Sequence, residues 1–292
     1  MQWNTARFQI DLNSPKVMGI VNVTPDSFSD GGKYASTPAA LRHCEKLLGE
    51  GADILDIGAE SSRPGAEPLP LDEELRRVVP VVREAVKLRV PLSVDTYKPK
   101  VMQAVLDLGA DIINDIWALR WRDPDPSSHL ATQLDGMQVV AQHPACGVCL
   151  MHMHREPRSM QLVPMEGDVV PQVLLFLQRM GQDLQGRGVR RNRIVIDPGI
   201  GFGKTVAQNF ALLARQNELL GAGYPLLLGW SRKSSLTALT GSTTNSVAGA
   251  TDARMVPSVV AALLALERGA SIVRVHDVEP TVQAIKVLAA IR

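Results

Sequence analysis

Eight short apolar runs that each break off at a polar or glycine-rich tip, helix-periodic segments between them, and one junction that recurs three times predict an α/β fold, an (α/β)8 TIM barrel forming a single domain over residues 1–292. The first run, 17–23, ends at Thr24-Pro25-Asp26-Ser27-Phe28, and the second, 54–58, leads to Glu60-Ser61-Ser62-Arg63-Pro64-Gly65. The third, 92–94, ends at Asp95-Thr96 and the fourth, 112–113, at Asn114-Asp115. The fifth, 148–153, carries His152 and leads to His154; the sixth, 194–196, ends at Asp197-Pro198-Gly199. The last two are 226–228, into Gly229-Trp230-Ser231-Arg232-Lys233, and 272–275, into His276-Asp277. Strands covered on both faces read as continuous apolar runs. Polar residues gathered at their C-terminal ends are what an active site on a barrel rim requires.

Segments 41–51, 71–89, 98–109, 169–186, 209–221, 255–269 and 281–291 place apolar residues three or four apart, which predicts helices. Pro38 and Pro280 suit first turns. Gly51-Ala52-Asp53-Ile54, Gly109-Ala110-Asp111-Ile112 and Gly269-Ala270-Ser271-Ile272 each read as a helix stop and a two-residue step into a buried strand, the mark of a repeated βα module. Right-handed crossovers leave a closed barrel or an open doubly wound sheet, and functional tips on nearly all eight units favour the barrel. Residues 120–145 read as a long loop and a short helix around 137–141. The segment before Lys16 is expected to pack on the barrel as a strand or hairpin closing its bottom.

The chain of 292 residues suits one barrel, which typically takes ~250 residues, with elaborated loops. A net charge of +1 gives no support to a nucleic-acid or membrane partner. No stretch reaches the ~18 apolar residues of a membrane span, and residues 1–7 lack the apolar core of a signal peptide, so the cytoplasm is the expected compartment. Cys146 and Cys149 have a C-x-x-C spacing with no second pair to complete a zinc site; reduced, buried thiols are expected for all three cysteines.

Gly199-Ile200-Gly201-Phe202-Gly203-Lys204 misses both nucleotide-loop motifs by one position, at Pro198 for the P-loop and Lys204 for the dinucleotide fingerprint. What remains is a glycine-rich turn whose backbone can approach a flat ligand. Asp95, Asn114 and Asp197 end three strands. A carboxylate accepts two parallel hydrogen bonds and so suits the amidine-like edge of a pterin or guanine, while an asparagine can donate and accept. Asn114 and Asp115 must face opposite sides, so one of them points away. Ser231-Arg232-Lys233-Ser234 and Arg274-Val275-His276 form a cationic half of the rim, on the strands where barrels commonly hold phosphate. Asn22 could help hold a divalent metal bridging phosphates. The loops 24–32 and 61–68, bearing Phe28 and Arg63, have the composition of movable covers. His152 and His154 lack a third metal ligand and read as buried structural imidazoles.

Together these tips closely resemble the dihydropteroate synthase family. The motifs that carry it run from Met18-Gly19-Ile20-Val21-Asn22 through Gly32, then Asp56 to Gly65, Ser93-Val94-Asp95-Thr96 and Ile113-Asn114-Asp115-Ile116. They continue with Asp197 to Lys204, Ser231 to Ser234 and Arg274 to Asp277, in order over nearly the whole chain. The resemblance implies a homodimeric TIM barrel that joins 6-hydroxymethyl-7,8-dihydropterin pyrophosphate to p-aminobenzoate, with magnesium (Mg2+), in folate synthesis. It implies pterin contacts from Asp95, Asn114, Asp197 and Lys233. Asn22, Ser62, Arg63, Arg274 and His276 would bind the pyrophosphate, with Asn22 on the metal; Phe28, Ser61, Pro64, Phe202 and Ser234 would frame p-aminobenzoate. Arg63, Lys233, Arg274 and His276 are the implied catalytic set.

This chain has Ala59 and Ser62 where many relatives have glycine and threonine, so Ser62 keeps the hydroxyl and loses a methyl. Its loop 120–128 is longer than in many relatives and lies on the active face. Two alternatives share the strand-end acceptors: a methyltransferase barrel and a non-catalytic pterin binder. The Ser-Arg-Lys-Ser tip and Arg63 speak against the first, and intact Arg63, Lys233 and Arg274 against the second.

Overall fold

In the computed structural model, which describes residues 1–24, 37–61, 65–122, 134–241 and 247–291 (backbone alone for 247–252), eight parallel strands close on themselves. They are β3 (Lys16–Asn22), β4 (Ile54–Gly58), β5 (Leu92–Asp95), β6 (Ile112–Asp115), β7 (Gly147–Met151), β8 (Ile194–Asp197), β9 (Leu226–Leu228) and β10 (Ala270–Val275). Each pairs with its neighbours in chain order, and β10 closes the ring against β3. Each apolar run forms its strand because inner and outer faces are both covered. Val21, Ile57, Val94, Ile113 and Val148 belong to the large cluster between the strands and the helical layer.

The helices are α1 (Thr37–Gly49), α2 (Leu71–Ala85), α3 (Pro99–Asp107), α4 (Gly136–Gln142), α5 (Val169–Gly186), α6 (Val206–Ala214), α7 (Gln216–Leu219), α8 (Ser234–Thr240), α9 (Val247–Glu267) and α10 (Val278–Ala289). Several depart from the periodicity reading: α1 starts at Thr37 rather than 41, and α9 at Val247 rather than 255. The helix expected over 209–221 starts at Val206, because Thr205 and Gln208 form a reciprocal capping box, and breaks at Arg215 into α6 and α7. The short α8, outside every expected helix, follows directly on the polar tip, with Lys233 as its N-cap.

The recurring junction has a cause beyond punctuation. Asp53 Oδ2 accepts the N–H of Val17 at 2.8 Å, and Asp111 Oδ2 accepts that of Leu92 at 2.9 Å. Each aspartate thus ties the start of the preceding barrel strand to its own. Gly51, Gly109 and Gly269 all have positive φ, where a side chain would be strained.

The bottom of the barrel is closed by an antiparallel hairpin, β1 (Gln2–Asn4) and β2 (Gln9–Asp11). Trp3, Ile10 and Leu12 pack against Met18, Ile54, Ile112 and Val195 at the strands' N-terminal ends, and the Trp3 indole donates to the Arg193 carbonyl at 3.0 Å. A Cβ at Gly147 would stand 3.1 Å from Trp3 Nε1, so glycine leaves room for the indole. Arg7 fastens the hairpin through Asp111. Cys44, Cys146 and Cys149 are free and buried, and burial pushes the Cys44 thiol up to about 11. No helix among the described residues is long and apolar enough to cross a membrane.

Candidate active site

Above the apolar floor, alternation along each strand turns a second ring of side chains into the barrel, and this ring is charged. Asp56, in the middle of β4, is fully buried; one of its oxygens accepts Arg274 Nε at 2.5 Å and Asn114 Nδ2 at 3.2 Å. Arg274 Nη2 reaches Asp95 Oδ2 at 2.8 Å. The guanidinium therefore bridges carboxylates from β4 and β5. Burial opposes the charge on Arg274, but Asp56 and Asp95 outweigh it and raise its pKa. Asp95 is pushed up to about 7, chiefly by burial, with Arg274 pulling the other way. The adjacent-residue question at the end of β6 resolves into two roles: Asn114 faces inward, and Asp115 accepts the N–H groups of Trp117 and Leu119, capping the turn.

Across the barrel, buried Asp197 accepts the Gly199 N–H at 2.7 Å, and burial raises its pKa. The glycine-rich turn behind it is held from inside by Lys204, whose ammonium donates to the carbonyls of Gly199, Phe202 and His152 at 2.9, 3.0 and 3.4 Å. Burial pushes Lys204 down to about 7. A Cβ at Gly199, where φ is +68°, would lie 1.9 Å from the His152 carbonyl oxygen. The turn presents Phe202, and Lys233 Nζ sits 4.3 Å from that ring's centroid.

At the last two strands, Ser231 Oγ lies 3.0 Å from His276 Nδ1 and accepts the His276 N–H at 3.1 Å. Arg232, at φ +59°, makes two bonds to Asp277, of 2.6 and 3.1 Å, so this member of the cationic tip anchors its own loop. Asn22 ends β3, half-buried and in register with Gly58, itself in register with Asp95. Ser61 and Ser234 are exposed at the rim. Phe28, Ser62, Arg63 and Pro64 lie outside the described residues, as does most of the loop 120–128. His152 is buried edge-on against Phe176, and His154 is half-buried; burial lowers both pKa values.

Sequence reasoning assigned no role to Asp56, although a carboxylate inside a continuous apolar run is itself a signal, because it must find partners there. It also passed over Lys98, which pairs with Glu60 and with Glu74 Oε2 at 2.6 Å. Thr96 and Tyr97 donate to the same two carboxylates. This network borders a cavity of 720 Å³ that reaches Asp95 and is lined by Tyr97, Trp117 and Trp121.

A closed barrel with hydrogen-bonding carboxylates, an asparagine and cations converging at its C-terminal mouth defines a small-molecule enzyme of the heterocycle-binding kind. Residues 18–276 match the family model described as pterin binding enzyme. The chain is 46% identical to dihydropteroate synthase of Neisseria meningitidis serogroup C, over 99% of this chain and 97% of the relative. It superposes on Burkholderia cenocepacia dihydropteroate synthase complexed with 7,8-dihydropteroate (TM-score 0.85, 46% identity, 100% of this chain and 96% of that one). It likewise superposes on the Yersinia pestis enzyme in complex with a sulfonamide drug (TM-score 0.87, 40% identity, 100% and 99%). The chain belongs to the dihydropteroate synthase family, transferases of folate synthesis.

Proposed function

We propose that the charged ring divides the labour of the family reaction, in which the amine of p-aminobenzoate displaces pyrophosphate from 6-hydroxymethyl-7,8-dihydropterin pyrophosphate. The observation that carries this reading is the Asp56–Arg274–Asp95–Asn114 network facing Asp197 and Lys233 around one crater. Asp95, Asn114 and Asp197 supply acceptors for the N–H edges of the heterocycle, and Lys233 closes its far side. The displacement is dissociative: the bond from the exocyclic carbon to the pyrophosphate oxygen breaks first, the ring electrons of the dihydropterin stabilising positive charge at that carbon, and the amine nitrogen then bonds to it and loses a proton. An aromatic amine is neutral at pH 7, so no strong base is needed before attack. Leaving-group charge is the main load. His276 and Arg274, with Asn22, Ser62 and Arg63, take it up, each preplaced donor being worth ~3–4 kcal/mol. Phe202, Ser61 and Ser234, with Phe28 and Pro64, frame p-aminobenzoate.

Among the described residues no three His, Cys, Asp or Glu side chains could together hold a metal ion. Asn22, half-buried at the end of β3, would add one neutral oxygen to a magnesium ion carried mainly by the diphosphate, whose chemistry would be to neutralise the departing phosphates. A homodimer in the cytoplasm completes the reading.

The experiment is p-aminobenzoate-dependent release of pyrophosphate by the purified protein with magnesium, competed by a sulfonamide. Release that is absent at saturating substrates overturns the reading; competition against the pterin substrate instead of p-aminobenzoate overturns the assignment of the two subsites.

A further inference from the structure

Arg274 is asked to serve a leaving group, yet its guanidinium is engaged by two carboxylates inside the barrel. The two partners differ. Asp95 is half-buried at the end of β5 and borders the cavity at the mouth, whereas Asp56 is fully buried two paired positions deeper, level with Ser93. Asp56 also differs in what it can gain: among the described residues its second oxygen, Oδ1, is buried without a hydrogen-bond partner, as is Ser93 Oγ on the residue paired with it across β4 and β5. A heterocycle bound at the mouth can compete for Asp95, whereas Asp56 is fully buried and already bonded by Asn114 and Arg274.

We propose that Asp56 is a positioning residue for pyrophosphate departure: it keeps Arg274 Nε tethered while Asp95 exchanges its bond to Arg274 for the bound pterin. The exchange frees Nη2 of Arg274 as the substrate arrives, with the charge held in the crater rather than swung to solvent. The same Asp56 oxygen orients Asn114, so heterocycle contact and leaving-group contact share one anchor. Neutral Asn at 56 keeps the shape but gives up the charge that holds the guanidinium.

This inference rests on the pterin and pyrophosphate reading above. Its test is calorimetric binding of two probes to the wild-type protein and to Asp56→Asn: the dihydropterin alcohol, and its pyrophosphate ester with magnesium. Expected is a loss of tenfold or more in affinity for the ester, a change under threefold for the alcohol, and a similar loss in kcat. Equal weakening of both probes would make Asp56 merely structural and overturn the proposal, as would no change in either. Should Asp56→Asn fail to fold, Asp56→Glu, which keeps the charge but displaces the oxygen that holds Arg274 Nε, is expected to give an ester-selective loss as well; an unselective or absent loss overturns the tether. A wild-type protein that binds neither probe would refute the functional reading itself, a result distinct from all of these.

Discussion

Ser231 Oγ contacts His276 twice, 3.0 Å from the ring nitrogen Nδ1 and 3.1 Å from the backbone nitrogen. The hydroxyl accepts the backbone N–H and also pairs with Nδ1, so one side chain holds both the backbone and the ring of His276. Ser231→Ala should lower kcat/KM by about threefold to tenfold, the worth of one net hydrogen bond, mostly through KM for the pyrophosphate substrate. Ser231→Thr should restore it. Steady-state kinetics that show no loss in the alanine variant would mean that packing alone orients the imidazole.

Pterin binding should depend on pH through Asp95. Burial, aided by Asp56, Asp115 and Glu74 and opposed by Arg274, puts its pKa at about 7, so below neutrality the free enzyme holds a proton there. Accepting N–H donors requires that proton to leave. Affinity should then weaken by about tenfold per pH unit below 7 and level off above it. Asp95→Asn should bind weakly with this dependence removed, as calorimetry between about pH 5.5 and 8.5 would register. The linked stability effect has the opposite sense. A carboxyl whose folded pKa lies above the unfolded ~3.9 favours the folded state at low pH, and that contribution is lost as pH rises through about 7.

Lys98→Met should destabilise the fold by about 3–5 kcal/mol, because it strands Glu74 and Glu60 beside each other with their cation gone. Burial already raises the pKa of Glu74 while Lys98 restrains it. Urea denaturation at pH 7 measures the loss, and part of it should return at about pH 5, where protonation removes the stranded charges. A loss that does not shrink on acidification would point to packing.

Gly199→Ala combines a left-handed backbone with a methyl group set into the His152 carbonyl, and should cost roughly 2–6 kcal/mol as the sum of strain and overpacking. Because the turn carries Phe202, p-aminobenzoate KM should rise even where the protein remains folded. A midpoint within ~0.5 kcal/mol of wild type would show that β7 yields easily.

The barrel was legible because each strand carries its own signature: a buried run with a polar end. Parity along the strand was enough to put Arg274 and His276 on one face, and it limited Asn114 and Asp115 to one inward side chain. Partnerships were not legible. Arg274 meets Asp56 218 residues away in sequence, and Lys98 joins carboxylates from two other segments. Such pairs depend on ring closure, which no local pattern encodes. The split of the 209–221 helix at Arg215 has a similar origin, since apolar spacing continues through the break. Asp53 and Asp111 were visible as repeated letters, but their bonds to neighbouring strands needed the register.

The Trp3 hairpin has a kinetic consequence. Together with the apolar layer it packs on, the hairpin closes the floor, so among the described residues the approach to the charged crater is from the C-terminal mouth. On the subsites proposed above, the pterin ester would be seated before p-aminobenzoate follows, and the joined product would leave by the mouth through which both entered. Traffic through one opening imposes an order of addition, and a product that lingers at the lip keeps the next turnover waiting.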